Sequence, residues 1–322
     1  MSGAGSPRFD LAGKRIWVAG HKGMVGSALM RRLASEGCTL LTVGRDQLDL
    51  RCQADVRAWF DANRPDAVIL AAAKVGGIAA NAAYPADFCF DNLAIQTNVI
   101  EGAWRAGARK LVFLASSAVY PQLAPQPMAE DLLLSGQPDP NHEGYALAKL
   151  AGIALVRGYR RQHGADFVTV LPTNLYGPGD NYHATSSHVV PAMLRKFHEA
   201  KLSAAETVTL WGTGTPMREL MHVDDMADAC VRVLVAYSEL SPINIGVGSD
   251  LTIRDLAETI RAIVGYDGRI VFDTSKPDGV PKKLLDTSRL QALGWRPRID
   301  LKAGLRATYD WYVRHAAEAR GS

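Results

Sequence analysis

An apolar strand followed by three evenly spaced glycines is the feature that most constrains the fold of this chain. Residues 14–19 read as the strand, Gly20, Gly23 and Gly26 follow it, and residues 27–37 have a helical pattern. Glycines at such places allow a tight turn, a close approach of the backbone to a diphosphate, and close packing of helix on strand. The spacing differs from the usual Gly-x-Gly-x-x-Gly fingerprint, and a glycine turn without a ligand is the alternative. The flanking strand and helix favour a nucleotide site, whose candidate residues are Gly20, His21, Lys22, Gly23, Met24, Val25 and Gly26.

Strand and helix patterns alternate along the chain. Further strands are predicted at residues 39–43, 66–73, 110–114 and 168–171, and further helices at residues 55–63, 88–106, 145–163, 253–264 and 301–315. This alternation predicts an α/β fold with a Rossmann-type, doubly wound parallel sheet and a ligand crevice at the carboxyl ends of its strands. We expect an N-terminal extension at residues 1–13 and a nucleotide-binding Rossmann domain at residues 14–180, to which later segments return. Residues 181–322 are expected to form mainly a smaller, discontinuous substrate lobe.

The composition excludes several classes of function. The chain has 322 residues, 48% of them hydrophobic and 21% charged, which is typical of a globular protein. It has neither a run of about 18 apolar residues nor a signal-type segment, so we expect a cytoplasmic protein without a membrane partner. The net charge of +3 is dispersed, which suits a small anionic ligand better than a nucleic acid. The four scattered cysteines, Cys38, Cys52, Cys89 and Cys230, have no metal-ligand or disulfide spacing, and no metal site is expected.

Arg45 follows the second predicted strand, where an NAD-specific site normally has a carboxylate for the ribose hydroxyls. A guanidinium at this place can pair with a 2′-phosphate. Arg45 therefore favours NADPH over NADH as the cofactor. An exposed arginine without a ligand is the alternative, and Asp46 and Asp49 close behind it leave some use of NADH open.

Tyr145 and Lys149 lie four residues apart in a predicted helix, so their side chains share one face of it. A cation beside a phenol stabilises the phenolate and lowers the pKa of the phenol, which makes the tyrosine a proton donor and acceptor near neutrality. Ser116 follows the fourth strand, at the edge of the sheet where the crevice is expected. The two hydroxyls can converge on one carbonyl oxygen, whereas a Tyr-x-x-x-Lys pair on a solvated helix is the alternative reading.

Glycine turn, serine and Tyr-x-x-x-Lys in this order resemble the extended short-chain dehydrogenase/reductase family. Four stretches narrow the resemblance to the GDP-L-fucose synthase family within it: residues 21–26, 71–77, 172–178 and 211–219, which read HKGMVG, AAAKVGG, PTNLYGP and WGTGTPMRE. The resemblance runs from about residue 14 to about residue 312. It implies an NADPH-dependent enzyme that converts GDP-4-keto-6-deoxy-D-mannose into GDP-L-fucose by epimerising C3 and C5 and then reducing the C4 ketone.

The resemblance implies roles for the residues that match the family's motifs. Ser116, Tyr145 and Lys149 look like the reductase triad, and His188 resembles a histidine that supplies a proton during epimerisation. The implied cofactor contacts, besides the glycine turn and Arg45, are Leu114, Ser116, Lys149, Pro172, Asn174, Leu175 and His188. The implied substrate contacts are Lys196, Trp211, Arg218 and Asp278, whose two cations suit a diphosphate. A structural histidine, a solvated lysine and a core tryptophan are the alternatives for His188, Lys196 and Trp211.

Ala118 departs from the family's pattern. The family usually has a cysteine two residues after the catalytic serine, and this cysteine acts as an acid/base in epimerisation. A methyl group cannot exchange a proton, so we expect the epimerase step to be impaired. Three explanations stay open: an active site altered to disable epimerisation, a natural 4-reductase that forms an unepimerised deoxysugar, or another residue in the place of the thiol. A non-catalytic NADPH-binding regulatory protein is the alternative of another class.

The resemblance also implies a homodimer. Relatives commonly associate through two helices, which in this chain correspond to residues 88–106 and 145–163. The expected small-molecule partner is a GDP-sugar.

Overall fold

The structure of the protein is a computed structural model that describes residues 8–276 and 278–316. Its strands are β1 (Arg15–Ala19), β2 (Thr39–Leu41), β3 (Ala67–Leu70), β4 (Lys110–Leu114), β5 (Phe167–Pro172), β6 (Asn174–Tyr176), β7 (Thr207–Trp211), β8 (Met217–Arg218), β9 (Leu220–His222), β10 (Ile243–Ile245), β11 (Leu251–Thr252), β12 (Arg269–Asp273) and β13 (Lys282–Lys283). Its α-helices are α1 (Met24–Leu33), α2 (Gln53–Asn63), α3 (Ile78–Ala83), α4 (Pro85–Arg105), α5 (Glu143–His163), α6 (Val189–Leu202), α7 (Val223–Ala236), α8 (Ile253–Val264), α9 (Ser288–Ala292) and α10 (Leu301–Arg314). Residues 1–7 of the predicted extension and residues 317–322 of the predicted lobe lie outside the described residues.

A six-stranded sheet in the order β10-β5-β4-β3-β1-β2 forms the centre of the molecule, and every neighbouring pair in it is parallel. The strand order reverses between β1 and β3, which creates a crevice at their carboxyl ends. The predicted α/β class with a Rossmann-type parallel sheet is confirmed. Because β10 belongs to this sheet, residues beyond position 180 complete it; the division into a nucleotide-binding domain and a substrate lobe stays a prediction.

Both faces of the sheet are covered, as the continuous apolar sequences of its strands require. Ile16 and Val18 of β1 point into a core with α1 and α7, whereas Trp17 and Ala19 point into a core with α2, α4 and α5. This alternation along one strand is the period of two that a sheet imposes on its side chains. The result is a three-layered, doubly wound domain.

A third hydrophobic core lies outside the six-stranded sheet. It buries side chains of α6, α8 and α10 together with Val208 and Leu210 of β7. β7 pairs with β12, and β8 pairs with both β11 and β13. This pairing brings Arg218 of β8 beside Lys283 of β13, although the two residues are far apart in the sequence. No helix within the described part of the chain is long and apolar enough to cross a membrane.

Most predicted elements are present, and several differ at their ends. α8 and β4 have the predicted bounds, whereas α1 begins at Met24, within the glycine segment, and β3 ends at Leu70 instead of residue 73. Residues 71–73 leave the sheet because they form the crevice against the glycine turn, where a Cβ atom on Gly20 would lie 2.7 Å from the Ala72 nitrogen. α3 was not predicted, since its six residues have no amphipathic period long enough to recognise.

Candidate active site

The glycine turn has the geometry of a phosphate cradle. Gly20 has a φ of +93°, a backbone conformation that L side chains rarely adopt, and a Cβ atom on Gly26 would lie 2.0 Å from the Gly20 oxygen. The turn delivers the chain into α1 at Met24, and its N-cap residue, Gly23, has no side-chain cap. The first amides of α1 are therefore left for an anion, so the turn fits a diphosphate.

Charged side chains beside the turn leave Arg45 available for an anion. Lys22 lies 3.8 Å from Asp46, and Asp49 is hydrogen-bonded to Arg51 at 2.7 Å. The hydrogen bonds from Arg51 lower the pKa of Asp49 to about 2. The Asp49 carboxylate is therefore ionised, and the guanidinium of Arg51 balances its charge. Arg45 is exposed and makes no hydrogen bond or ion pair with any residue in 8–276 and 278–316. Its guanidinium fits the predicted 2′-phosphate.

Ser116 and Tyr145 meet at the carboxyl edge of the sheet. Ser116 follows β4 and caps a short 3₁₀ helix, where its Oγ accepts a hydrogen bond from the Ala118 nitrogen at 3.1 Å. Tyr145 lies in the first turn of α5, and its hydroxyl is hydrogen-bonded to Ser116. The structure thus brings together two hydroxyls from a strand end and a helix, as the sequence predicts.

Lys149 lies beneath this pair. Its side chain is 2% exposed, and its Nζ donates a hydrogen bond to the Leu114 carbonyl at 2.9 Å. The same nitrogen lies 4.8 Å from the ring centre of Phe113 and 5.9 Å from that of Tyr145. The ammonium is therefore held by the end of β4 and borders the phenol without contacting its oxygen directly.

The predicted lowering of the Tyr145 pKa is wrong for this structure. Burial raises the pKa of Tyr145 to about 12, and the hydrogen bond to Ser116 offsets only part of this effect. Burial also lowers the pKa of Lys149 to about 7, because a buried ammonium loses its hydration without gaining a carboxylate partner. Tyr145 is thus a protonated phenol at neutral pH, which is the form that donates a proton.

The two positions predicted to matter for epimerisation, His188 and Ala118, lie in different elements. His188 is the N-cap of α6, and the loop before it is held by a 3.0 Å hydrogen bond from the Gly77 nitrogen to the Ser186 carbonyl. His188 is an exposed residue, yet the surrounding protein desolvates its imidazole and lowers its pKa. Ala118 is half-buried in the 3₁₀ helix after Ser116 and presents only a methyl group.

The predicted nicotinamide end lies where β5 leaves the sheet. Pro172 is the last residue of β5, and Asn174 and Leu175 belong to β6, which pairs with β9. Asn174 Nδ2 donates to the Glu219 carbonyl at 3.1 Å. That contact fixes this short segment against the strand that precedes α7.

The four predicted substrate residues lie in different elements: Lys196 in α6, Trp211 in β7, Arg218 in β8 and Asp278 between β12 and β13. Trp211 is 63% exposed, which excludes the alternative that it is a core residue. Lys196 is exposed and donates to the Thr209 carbonyl at 3.3 Å, and Arg218 donates to the Val280 carbonyl at 2.6 Å. The Asp278 carboxylate is hydrogen-bonded within the protein. Its two oxygens accept hydrogen bonds from the backbone nitrogen and the hydroxyl of Thr213, at 2.9 and 2.7 Å.

A group of charged side chains that sequence reasoning missed lies beside these residues. His142 precedes α5 and interacts electrostatically with Asp139, His188 and Lys283, and Lys283 in turn interacts with Arg218. His142 precedes Tyr145 by three residues, but as the N-cap of α5 it has a φ of −130° and a ψ of 15°, so helical spacing does not predict the direction of its side chain.

Comparison with known proteins identifies the family. Residues 16–246 match the NAD dependent epimerase/dehydratase family. The chain belongs to this family. GDP-L-fucose synthase 1 of Arabidopsis thaliana is 54% identical over 302 residues, which are 94% of this chain and 94% of that protein. The family is thus the extended short-chain dehydrogenase/reductase type, and its GDP-L-fucose synthase branch includes this chain.

Two solved structures are similar to nearly all of this chain. A GDP-L-fucose synthetase from Naegleria fowleri bound to NADP has a TM-score of 0.90 at 27% identity and covers 98% of this chain and 99% of its own. A GDP-6-OMe-4-keto-L-xylo-heptose reductase from C. jejuni has a TM-score of 0.90 at 34% identity and covers 96% and 99%. Members of the family that share this fold therefore include one named a synthetase and one named a reductase.

Proposed function

We propose that this protein is an NADPH-dependent nucleotide-sugar epimerase/reductase of the GDP-L-fucose synthase type. The observation that carries the proposal is the hydrogen-bonded pair of Ser116 and Tyr145 above Lys149, at the edge of the sheet that also holds the glycine turn. The expected substrate is GDP-4-keto-6-deoxy-D-mannose, and the expected product is GDP-L-fucose. A relative that carries the GDP-L-fucose synthase name at 54% identity supports this choice.

The chain's own residues suffice to hold the cofactor. The amides at the start of α1 and the tight turn at Gly20 and Gly26 would bind the diphosphate, and Arg45 would pair with the 2′-phosphate. Pro172, Asn174 and Leu175 would border the nicotinamide, together with Leu114 and His188. When bound, NADPH supplies the hydride that reduces the C4 ketone.

The reductase triad handles the proton that accompanies reduction. Ser116 donates a hydrogen bond to the C4 oxygen and orients it. Tyr145, protonated at neutral pH, gives its hydroxyl proton to the oxygen as negative charge develops there. Lys149 stabilises the phenolate that remains, because a charged ammonium 5.9 Å from the ring centre favours the ionised form.

Residues of α6, β7 and β8 and of the loop before β13 would bind the GDP part of the substrate. Arg218 and Lys196 would pair with the diphosphate, and Trp211 would contact the nucleotide, since its 63% exposure leaves a large aromatic surface open. Asp278 would contact the same part of the substrate while it accepts a hydrogen bond from Thr213. These assignments rest on the positions of the four residues and on the resemblance of their motifs.

A second candidate function is a 4-reductase without epimerisation. Ala118 favours it, because position 118 has no proton to exchange, and the C. jejuni relative is named a reductase. Both candidates use the same triad. They differ in whether a second acid/base lies near the sugar besides His188.

We also propose a cytoplasmic homodimer. Helices α4 and α5 pack together and leave Phe90 67% exposed and Leu147 47% exposed, and a second copy would cover these side chains. The four cysteines are free, which suits a reducing compartment.

One experiment tests the proposed function. The protein is incubated with GDP-4-keto-6-deoxy-D-mannose and NADPH, cofactor oxidation is followed, and the product sugar is identified by NMR. We expect GDP-L-fucose, and an unepimerised 4-reduced sugar would favour the second candidate. The matched control is Tyr145→Phe, which should bind NADPH and consume little of it. A wild-type protein that oxidises no NADPH with this substrate would favour a non-catalytic binding protein.

A further inference from the structure

The loop between β7 and β8, residues 212–216, joins two of the predicted substrate contacts, and we call it the β7–β8 loop. Trp211 is the last residue of β7, and Arg218 is the second residue of β8. The Trp211 side chain is 63% exposed, so the start of the loop presents a large aromatic surface to solvent. Because the loop connects these two residues directly, its conformation sets where Trp211 lies relative to Arg218.

Two glycines give the β7–β8 loop a conformation that other residues would strain. Gly212 has a φ of +77° and Gly214 has a φ of +78°, in the left-handed region that L side chains rarely adopt. A Cβ atom on Gly212 would lie 2.1 Å from a carboxylate oxygen of Asp278, and one on Gly214 would lie 2.5 Å from the ring of Phe272. The absence of side chains at these two positions therefore lets Asp278 and Phe272 pack directly against the backbone of the loop.

The start of α8 binds the carbonyl groups of the β7–β8 loop. The backbone nitrogen of Ile253 donates to the Pro216 carbonyl, and that of Arg254 donates to the Gly214 carbonyl, each at 2.9 Å. The Arg254 guanidinium donates to the Thr213 carbonyl, also at 2.9 Å. Two of these bonds satisfy amides that a helix start leaves free, and all three attach the loop to a helix of the third core.

Thr213 is held from two sides by groups of opposite charge. Arg254 binds its carbonyl oxygen, whereas Asp278 accepts hydrogen bonds from its backbone nitrogen and its hydroxyl. The guanidinium of Arg254 also lies 4.2 Å from the ring centre of Phe272, which belongs to the strand that pairs with β7. The Arg254 side chain is thus oriented by the protein itself, although the residue is exposed.

We propose that Arg254 is a positioning residue for the nucleotide part of the substrate. By holding the Thr213 carbonyl, it fixes the β7–β8 loop in the conformation that presents Trp211 next to Arg218. A loop that is ordered before binding lowers the entropic cost of binding, so Arg254 raises the affinity for GDP without contacting the reacting sugar carbon. This inference rests on the proposed function, because it requires the nucleotide to bind at Trp211.

The test measures nucleotide binding and turnover separately. The dissociation constant of GDP is measured by calorimetry, and KM and kcat are measured for the oxidation of GDP-L-fucose by NADP⁺. We expect Arg254→Met to raise the GDP dissociation constant and the KM together by about 3- to 10-fold, the range for the loss of one hydrogen bond. The kcat and the affinity for NADPH should not change, because Arg254 binds the β7–β8 loop, whereas the triad lies in α5 and after β4.

A matched variant controls for the loss of a guanidinium from α8. Arg261→Met changes an arginine of the same helix that is ion-paired with Glu258 at 2.9 Å. It should leave GDP affinity, KM, kcat and NADPH affinity unchanged. Urea denaturation shows that each variant is folded.

A double-mutant cycle separates positioning from direct contact with the ligand. Trp211→Ala should itself weaken GDP binding. In the Trp211→Ala protein, Arg254→Met should weaken GDP binding little further, because the loop then has no tryptophan to present. Two residues that each contact the ligand independently would instead give additive losses.

Three results would overturn the inference alone. Normal GDP affinity in Arg254→Met would mean that the loop keeps its conformation without the guanidinium. A fall in kcat or in NADPH affinity in that variant would mean that Arg254 supports the fold as a whole, and additive losses in the cycle would mean that Arg254 contacts the ligand directly.

Failure of the proposed function gives different results. Normal GDP binding in Trp211→Ala would refute the proposed place of the nucleotide and the inference with it. A wild-type protein that binds GDP but oxidises no GDP-L-fucose would refute the proposed reaction, whereas the GDP affinities of the variants would still decide the role of Arg254.

Discussion

The burial of Lys149 should make the stability of this protein depend strongly on pH. The pKa of Lys149 falls from its ordinary value of 10.5 to about 7 in the folded protein, because the ammonium is buried. Between these two values the unfolded chain carries a proton that the folded protein has lost. The free energy of unfolding therefore rises as the pH increases from about 7 to about 10.5. As the pH falls toward 7, the folded protein must bury a charged ammonium, and the free energy of unfolding decreases. At about 1.4 kcal/mol per pKa unit, the whole effect is about 5 kcal/mol.

Lys149→Met removes the titrating group and keeps a side chain of similar length. The free energy of unfolding of the variant should exceed that of the wild type most at pH 7 and below, and the difference should shrink by about 1.4 kcal/mol per pH unit up to pH ~10. This difference in free energy is measured by urea denaturation at several pH values. The protein must be free of nucleotide, because a bound nucleotide would itself stabilise the folded state.

The matched control for this measurement is Lys302→Met, which changes an exposed lysine at the start of α10. Its stability curve should run parallel to that of the wild type. If the difference between Lys149→Met and wild type also stays constant with pH, the folded protein does not depress the pKa of this ammonium. The assignment of Lys149 as a partly neutral amine at neutral pH would then be wrong.

Three further variants test separate parts of the site. Arg45→Ala should weaken NADPH binding by roughly 10- to 150-fold, the loss of ~1.5 to 3 kcal/mol for a charge-assisted contact, and equal weakening of NADH binding would contradict the assignment. Tyr145→Phe should lower turnover by orders of magnitude with NADPH affinity nearly unchanged, and near-normal turnover would mean that the proton comes from another group. Glu219→Gln should lower the free energy of unfolding by about 1 to 3 kcal/mol in urea, because the buried Glu219 carboxylate accepts hydrogen bonds from the amides of Val247, Gly248 and Leu285 and the new side-chain amide would face one of them. Unchanged stability of that variant would mean that these amides find other acceptors.

The raised pKa of Tyr145 changes how the triad is understood. A tyrosine with a pKa of about 12 keeps its proton throughout the neutral range, so reduction starts from the protonated phenol. The partner whose charge changes near neutrality is Lys149. We therefore expect the pH dependence of reduction near pH 7 to report the ammonium, which stabilises the phenolate only while it is charged.

The sequence by itself determined the fold class and the glycine turn at which we propose the nucleotide binds. The apolar strand periods, the glycines at 20, 23 and 26, and the four-residue spacing of Tyr145 and Lys149 are all local patterns, and local backbone geometry follows from them directly. Ser116 was predictable as well, because the carboxyl ends of parallel strands always meet at one edge of the sheet.

Only the tertiary structure decided the charges and partners of the site. The pKa values of Tyr145 and Lys149 depend on burial by residues that are distant in sequence, so the spacing alone indicated the wrong direction for the phenol. The ligand role of Asp278 stays a prediction, and its carboxylate also accepts a hydrogen bond from Thr213, 65 residues away in the sequence, a contact that no local pattern encodes. Arg218 and Lys283 lie side by side because β8 and β13 pair, and such long-range contacts are set by strand pairing.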